Sequence, residues 1–219
     1  MEVLQIRILR NLAKGRLAWF DKALDWQGKV VLDLGCAGGF MAEAIARRGA
    51  KVTGIDPSQK AIEIARSHAE SEHLTIEYDV GVGESLPYGD KTFDIVVCVD
   101  VLEHVSDLNQ VIKEIARVLK PGGYLAYDTI NRTSLARFAT VTLAEDILGI
   151  LPRGTHDPKL FIKPFELKAL MEKAGLTVGS IVGLGPNGID KRFDPTFGHV
   201  PITGIIYMGL AQLEGEEKF

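Results

Sequence analysis

The chain has 219 residues, of which 46% are hydrophobic and 25% charged, an ordinary globular composition long enough to bury one substantial core. A formal net charge of -4 and a pI near 5.8 leave no basic footprint, which argues against a nucleic-acid backbone as the principal partner. The two cysteines, Cys36 and Cys98, sit in apolar strand-like contexts that suggest neither a disulfide framework nor a zinc site, and no window approaches the apolar length that spans a bilayer.

The opening segment, "MEVLQIRILRNLAKGRLAWF", mixes Arg and Lys into an apolar stripe of Leu4, Ile8, Leu12 and Leu17, which predicts an amphipathic helix and does not resemble a secretion signal. A cytoplasmic chain is the expectation. "KVVLDLG" is the first predicted strand, followed by a glycine turn and a helix that runs to Arg48 and stops at Gly49. "KVTGID" is the second strand, and Asp56-Pro57-Ser58 caps a helix over "QKAIEIARSHAES". "LTIEYDV" is a third strand, and "FDIVVCV", apolar throughout, a fourth that belongs in the middle of a sheet covered on both faces. "LNQVIKEIARVL" is a helix ended by "KPGG", and "YLAYDTI" is a fifth strand. The span from Asn131 to Pro164 interrupts this alternation with a second amphipathic segment and the polar loop "PRGTHDPKLFIKP". Alternating strands and helices predict an α/β fold: a doubly wound, mostly parallel seven-stranded sheet with helices on both faces, in one domain over 1–219 with a small insertion at about 131–164.

Ligands of such sheets bind beyond the carboxyl ends of the strands, which selects "GCAGG", "DPS", "GVGES" and "DVLEHV". A dinucleotide site wants G-x-G-x-x-G, but counting from Gly35 the later glycine places hold Ala37 and Phe40. Glycines at 35 and 39 instead leave room for a smaller adenosyl ligand. Asp33, just before the turn, suits a ligand that carries an ammonium and a sulfonium and would oppose phosphates. Asp56 closes the second strand, where a carboxylate can accept hydrogen bonds from ribose hydroxyls.

Together "VLDLGCAGG", "VTGIDPS", "FDIVVCVDVLEHV" and "LKPGG" resemble the motifs of class I S-adenosylmethionine-dependent methyltransferases over residues 29 to about 130. Within that superfamily, "EHV", "TINR" and "LPRGTHDPKLFIKPFEL" resemble the ubiquinone-biosynthesis O-methyltransferase family, which methylates hydroxyls on polyprenylated phenols. The resemblance implies S-adenosyl-L-methionine as cofactor. It places Gly35 and Gly39 at the methionine part and Asp56 at the ribose, and Asp33, Cys36 and Pro57 join them in the candidate cofactor-binding set. Gly83 and Glu84 fall at the adenine edge, Val99 on the cofactor's other face, and Arg16 where the family has an arginine for the cofactor's carboxylate. Two departures stand out. The family's middle glycine is Ala37, and the aspartate that many relatives direct at the adenine amine is replaced by Val82.

"DVLEH" spaces Asp100, Glu103 and His104 at i, i+3 and i+4, one face if the segment turns helically. Such a face could hold Mg²⁺ through oxygen ligands, and the alternative is that Glu103 and His104 merely bond to loops; His104 is a candidate general base in either case. Glu103 and His156, the latter in the family-specific loop, complete the candidate catalytic set. The expected function is methyl transfer to a small-molecule hydroxyl, a phenol or quinol. The alternatives are an N- or C-methyltransferase, an NAD-dependent oxidoreductase disfavoured by Ala37 and Phe40, and a non-catalytic cofactor-binding regulator. A stripe of Leu135, Phe138, Val141 and Ile147 is either core or a lipid-facing entry for an isoprenoid acceptor, which would add weak peripheral membrane contact.

Overall fold

A computed structural model describes residues 2–141 and 154–215, with side chains from Ile6 onward. Ile147 and most of the predicted second amphipathic segment therefore lie outside the described residues. An 8-stranded sheet with the order β3-β2-β1-β4-β5-β8-β6-β7 organises the chain. Strands β1 (Val30–Leu34), β2 (Lys51–Asp56), β3 (Ile76–Val80), β4 (Phe93–Cys98) and β5 (Leu119–Ile130) pair in parallel, and β8 (Ile206–Leu213) joins β5 antiparallel. The mixed α/β fold of the sequence reading holds. The extra strand is β7 (Pro195–Val200), which forms a hairpin with β6 (Leu176–Ile189).

Pleat alternation builds the two sides of the core. Leu32, Leu34, Val96 and Leu125 face α4 (Leu108–Val118) and α6 (Pro164–Lys173), where Val111, Ile115, Leu167 and Met171 meet them. Val31, Ile95, Val97 and Ala126 face the other way, against α1 (Glu2–Phe20), α2 (Phe40–Ala46) and α3 (Gln59–Ser71) through Leu17, Phe20, Ile45 and Ile62. Because β4 is covered on both faces, its residues run apolar without alternation from Ile95 onward, and Asp94 near its start pairs with Lys120 at the sheet's end.

The sequence placed the start of the fifth strand at Tyr124, yet β5 begins at Leu119. Leu119 pairs with Phe93, and the register then shifts so that Tyr124 opposes Ile95, with "KPGG" absorbed into the irregularity and Gly122 at φ 78. The stripe of α1 also differs from expectation. Its buried residues are Asn11, Ala13, Gly15, Arg16, Leu17 and Phe20, while Ile6 and Leu9 are exposed. The reason is that α1 does not simply lie on the sheet. Strand β6 is paired to β8 over Leu176–Leu184 and continues to Ile189 with β7 as an arm that clasps the helix. Arg7 pairs with Asp194, Asn11 Nδ2 donates to the Pro195 carbonyl at 3.0 Å, and Gly15 sits where any Cβ would collide with the Phe197 carbonyl.

In the span after β5, α5 (Ser134–Arg137) is a short helix capped by Thr133, whose side chain accepts from Ala136 N. Ala136 is buried with Ile130 and Phe161, and Val141 packs on them, but Leu135 and Phe138 are exposed at 52% and 54%. No helix among the described residues is long and apolar enough to cross a membrane.

Candidate active site

The carboxyl ends of β1, β2, β4 and β5 converge on one edge of the sheet, and the turn after β1 is its centre. Gly35 N and Cys36 N both donate to the Ile55 carbonyl, at 2.8 and 3.1 Å, so the turn is tied to β2. Gly35 (φ 74) and Gly39 (φ 85) have left-handed backbones that favour glycine, and each also lacks room for a Cβ: Val101 covers the first and the Tyr78 hydroxyl the second. Ala37, at φ 44, takes the same left-handed region with a methyl attached. It is held there by Asp56, whose Oδ2 accepts from Ala37 N at 3.0 Å while Oδ1 accepts from Ser58 N at 2.9 Å. The Asp56 carboxylate therefore shapes the turn and faces its rim, half-buried, with Pro57 exposed beside it.

Asp33 is buried beneath the turn, and its Oδ2 has no hydrogen-bond partner. Burial pushes its pKa up to about 7, against the pull of a backbone bond from Ala42 and the charge of Arg16. A buried carboxylate oxygen without a donor is costly unless a ligand completes it. An ammonium-bearing adenosyl ligand fits these groups: a cradle that Cβ atoms would fill, an orphaned acceptor beneath it, and a carboxylate at its rim at the end of the next strand. Burial also raises the pKa of the Cys36 thiol, which stays protonated and packs as a small apolar group. Gly83 is buried against Val111, and Glu84 Oε1 accepts from Ser106 N and Oγ at 2.9 and 2.8 Å, tying the loop after β3 to the approach to α4. Val99 is buried at the end of β4.

The "DVLEH" segment does not turn helically, and its three polar side chains diverge. Asp100 has φ 54, a left-handed backbone unusual for a non-glycine residue, and this turns its carboxylate to the Arg16 guanidinium. Glu103 is buried and accepts from the Thr129 hydroxyl at 2.7 Å, leaving Oε1 without a partner. Burial, then the negative charge of Asp100, raises its pKa to about 8. His104 is exposed, with its backbone N donating to the carbonyl of Val101, the residue that covers Gly35, at 2.8 Å. The expected metal face is thus not formed, and no group of three or more His, Cys, Asp or Glu side chains among the described residues is placed to hold an ion. The physical cause is the positive φ at Asp100, which breaks the i, i+3, i+4 geometry.

What the structure does bring together is His104 and His156, from loops 52 positions apart, with ring centroids 5.4 Å apart. His156 also meets the edge of Phe161 at 6.2 Å. The loop that carries it is strapped to the sheet: Ile162 N donates to the Ile130 carbonyl at 3.0 Å, Tyr207 Oη to the Ile162 carbonyl at 3.1 Å, and Arg132 Nε to the Phe161 carbonyl at 2.7 Å. Although one side of its ring stays open to solvent, partial desolvation and then the neighbouring His156 hold the His104 pKa below its usual 6.5, outweighing Asp100. Arg16, expected to face a cofactor carboxylate, is buried and directs Nε to Asp128 and Nη2 to Asp100. Asp128, fully buried on β5, was missed by sequence reasoning. The available signal was an acid within the apolar run "LAYDTI", since a buried charge demands a partner elsewhere.

Comparison with known proteins agrees with this geometry. A methyltransferase-domain family model matches residues 32–127. The ubiquinone biosynthesis O-methyltransferase of Pseudomonas fluorescens (strain Pf0-1) is 41% identical over 190 residues, 86% of this chain and 82% of that protein. The enzyme of the same name from Coxiella burnetii (strain RSA 331 / Henzerling II) is 41% identical over 179 residues, 82% of this chain and 76% of that protein. Among solved structures, a SAM dependent methyltransferase from Aquifex aeolicus superposes with a TM-score of 0.66 at 19% identity, over 90% of this chain and 89% of that one, a likeness of fold. The glycine cradle, the rim carboxylate and the extent of these matches establish that the chain is a S-adenosylmethionine-dependent methyltransferase and belongs to the ubiquinone-biosynthesis O-methyltransferase family.

Proposed function

We propose that the enzyme transfers a methyl group to the hydroxyl of a small phenol or quinol, polyprenylated as in ubiquinone-type biosynthesis, and that residues 1–219 act as one methyltransferase unit. The observation that carries this reading is the His104–His156 pair at the lip of the glycine turn, where Val101 packs on Gly35 and His104 N donates to the Val101 carbonyl at 2.8 Å. The names of the relatives support the acceptor class.

Bound S-adenosylmethionine supplies an electrophilic methyl group. Asp33, Gly35, Gly39, Asp56, Gly83 and Val99 would hold it, with Asp56 as the acceptor for the ribose hydroxyls. A phenol loses its proton near pH 10 in water, so the chain must provide an acceptor for that proton as the new C–O bond forms. His104 suits the role because its lowered pKa keeps the imidazole neutral at pH 7. His156, its ring tilted 31° to that of His104 with centroids 5.4 Å apart, closes one wall of the acceptor space. Glu103, with its pKa near 8, is protonated at pH 7 and positions Thr129 and the loop without taking the proton. Alignment of nucleophile and methyl group in a water-poor space supplies most of the acceleration. Exposed Leu135 and Phe138 give an isoprenoid tail an apolar surface to follow, with weak contact to a bilayer.

The test is turnover with S-adenosylmethionine on a panel of catechols, quinols and amines with short and long isoprenoid tails. O-methyl products that form faster with longer tails are expected. Methylation of amines only, or of no hydroxyl while S-adenosylhomocysteine still binds, would refute the acceptor assignment.

A further inference from the structure

We propose that Asp128 is a positioning residue for the cofactor site: it latches α1 and the loop after β4 together, without touching the cofactor. The inference rests on the S-adenosylmethionine reading of the glycine turn and deepens it. Asp128 lies near the end of β5 with no solvent exposure, so it reaches no ligand. Its two oxygens do separate jobs. Oδ2 accepts from Arg16 Nε on α1, and Oδ1 accepts from Asp100 N at 2.8 Å. The Asp100 side chain then turns back to Arg16 Nη2 and closes a ring that spans three elements.

The ring accounts for two otherwise unexplained features. One is the left-handed backbone of Asp100, φ 54, a conformation that persists only where surroundings hold it. Asp128 supplies that hold through the Asp100 N–H, and so fixes the direction in which the chain leaves Val99 and runs to Val101 over Gly35. The other is the buried Arg16. The arm of β6 and β7 grips α1 at Arg7, Asn11 and Gly15, and past Gly15 the buried Arg16 ties the helix by charge to β5 and the loop after β4. One guanidinium and two carboxylates leave a net negative corner beside Asp33, suited to a ligand with an ammonium and a sulfonium. Asp128 thus sets where α1 and the β4 loop sit relative to the turn.

Asp128→Asn keeps the shape and can still accept from Asp100 N, but its amide then faces the Arg16 Nε donor. Binding of S-adenosylhomocysteine by calorimetry should weaken about tenfold or more in Asp128→Asn and in Arg16→Met. The double variant should be little worse than either single one, because both break the same ring. Amide exchange should rise across 12–20 and 99–102 while β1 and β2 keep their protection. Additive losses, or wild-type affinity with unchanged exchange, would overturn the latch. Failure of the wild-type enzyme to bind S-adenosylhomocysteine would refute the cofactor reading instead, and the exchange pattern would still decide whether Asp128 joins the two segments. If Asp128→Asn does not fold, Arg16→Lys is the substitute, since an ammonium cannot bridge both carboxylates in the same geometry. It should raise exchange at the same residues, and unchanged exchange would overturn the proposal.

Discussion

Replacing Asp56 by Ala tests the ribose assignment, and the structure separates two consequences that the sequence would merge. The carboxylate already accepts from Ala37 N and Ser58 N, at 3.0 and 2.9 Å. Both donors sit at an exposed or half-buried turn where water can replace the lost acceptor, so the stability cost should lie near the low end for such bonds, about 1 kcal/mol, or a melting shift of roughly 2–4 °C. The ligand effect is larger. Hydrogen bonds to a charged acceptor contribute about 1.5–3 kcal/mol, so S-adenosylhomocysteine should bind ~10- to 100-fold more weakly. Asp56→Asn keeps one carbonyl oxygen and should fall between. Calorimetry gives the affinities and differential scanning the melting points. Wild-type affinity in Asp56→Ala would remove the carboxylate from the ribose site. A melting loss above about 10 °C would show that the affinity change comes from collapse of the turn.

Three other outcomes are expected. His104→Ala should slow methyl transfer by about 10²–10⁴ with S-adenosylhomocysteine affinity unchanged, with or without chelator, and steady-state rates alongside calorimetry check this. Glu103 holds its proton in the native state up to about pH 8 but loses it near 4.5 when unfolded, so the unfolded chain binds fewer protons between these values and stability falls as pH rises through them. Glu103→Gln should remove its share of that slope, leaving the share of the buried Asp33, and its melting temperature relative to wild type should climb from pH 5 to pH 8; parallel curves would show that Glu103 does not titrate in this range. Phe138, exposed at 54%, should tolerate Ala with a loss well below the ~3–5 kcal/mol of a core aromatic, while flotation with anionic vesicles at low salt decreases. A melting drop as large as that of a core residue would place the side chain in the interior.

The local chemistry of the site was legible in the chain. A short apolar run closed by Gly35 and Gly39 dictates strand and turn because only glycine fits both the left-handed backbone and the close approach of Val101 and Tyr78. Asp56 follows at the end of the next strand because one helix separates parallel neighbours, which fixes the spacing. The apolar run from Ile95 to Cys98 in β4 announced a strand covered on both faces. The acidic cluster was not legible, since i, i+3, i+4 spacing brings side chains together only on a helix, and a bond from Asp100 N to Asp128, 28 residues away, holds the backbone left-handed instead. Nor does any periodicity bring His156 to His104 or Arg16 to Asp128, because those meetings depend on where a strapped loop and a clasped helix come to rest. The arm of β6 and β7 that clasps α1 is likewise decided by packing at Gly15 and Phe197, between segments with no common repeat. Sequence determined which residues could form the cofactor turn, because strands, turns and caps are short-range. Tertiary structure decided which charged groups face one another, because the cost of burying Arg16, Asp100 and Asp128 is offset only when distant elements place them in contact.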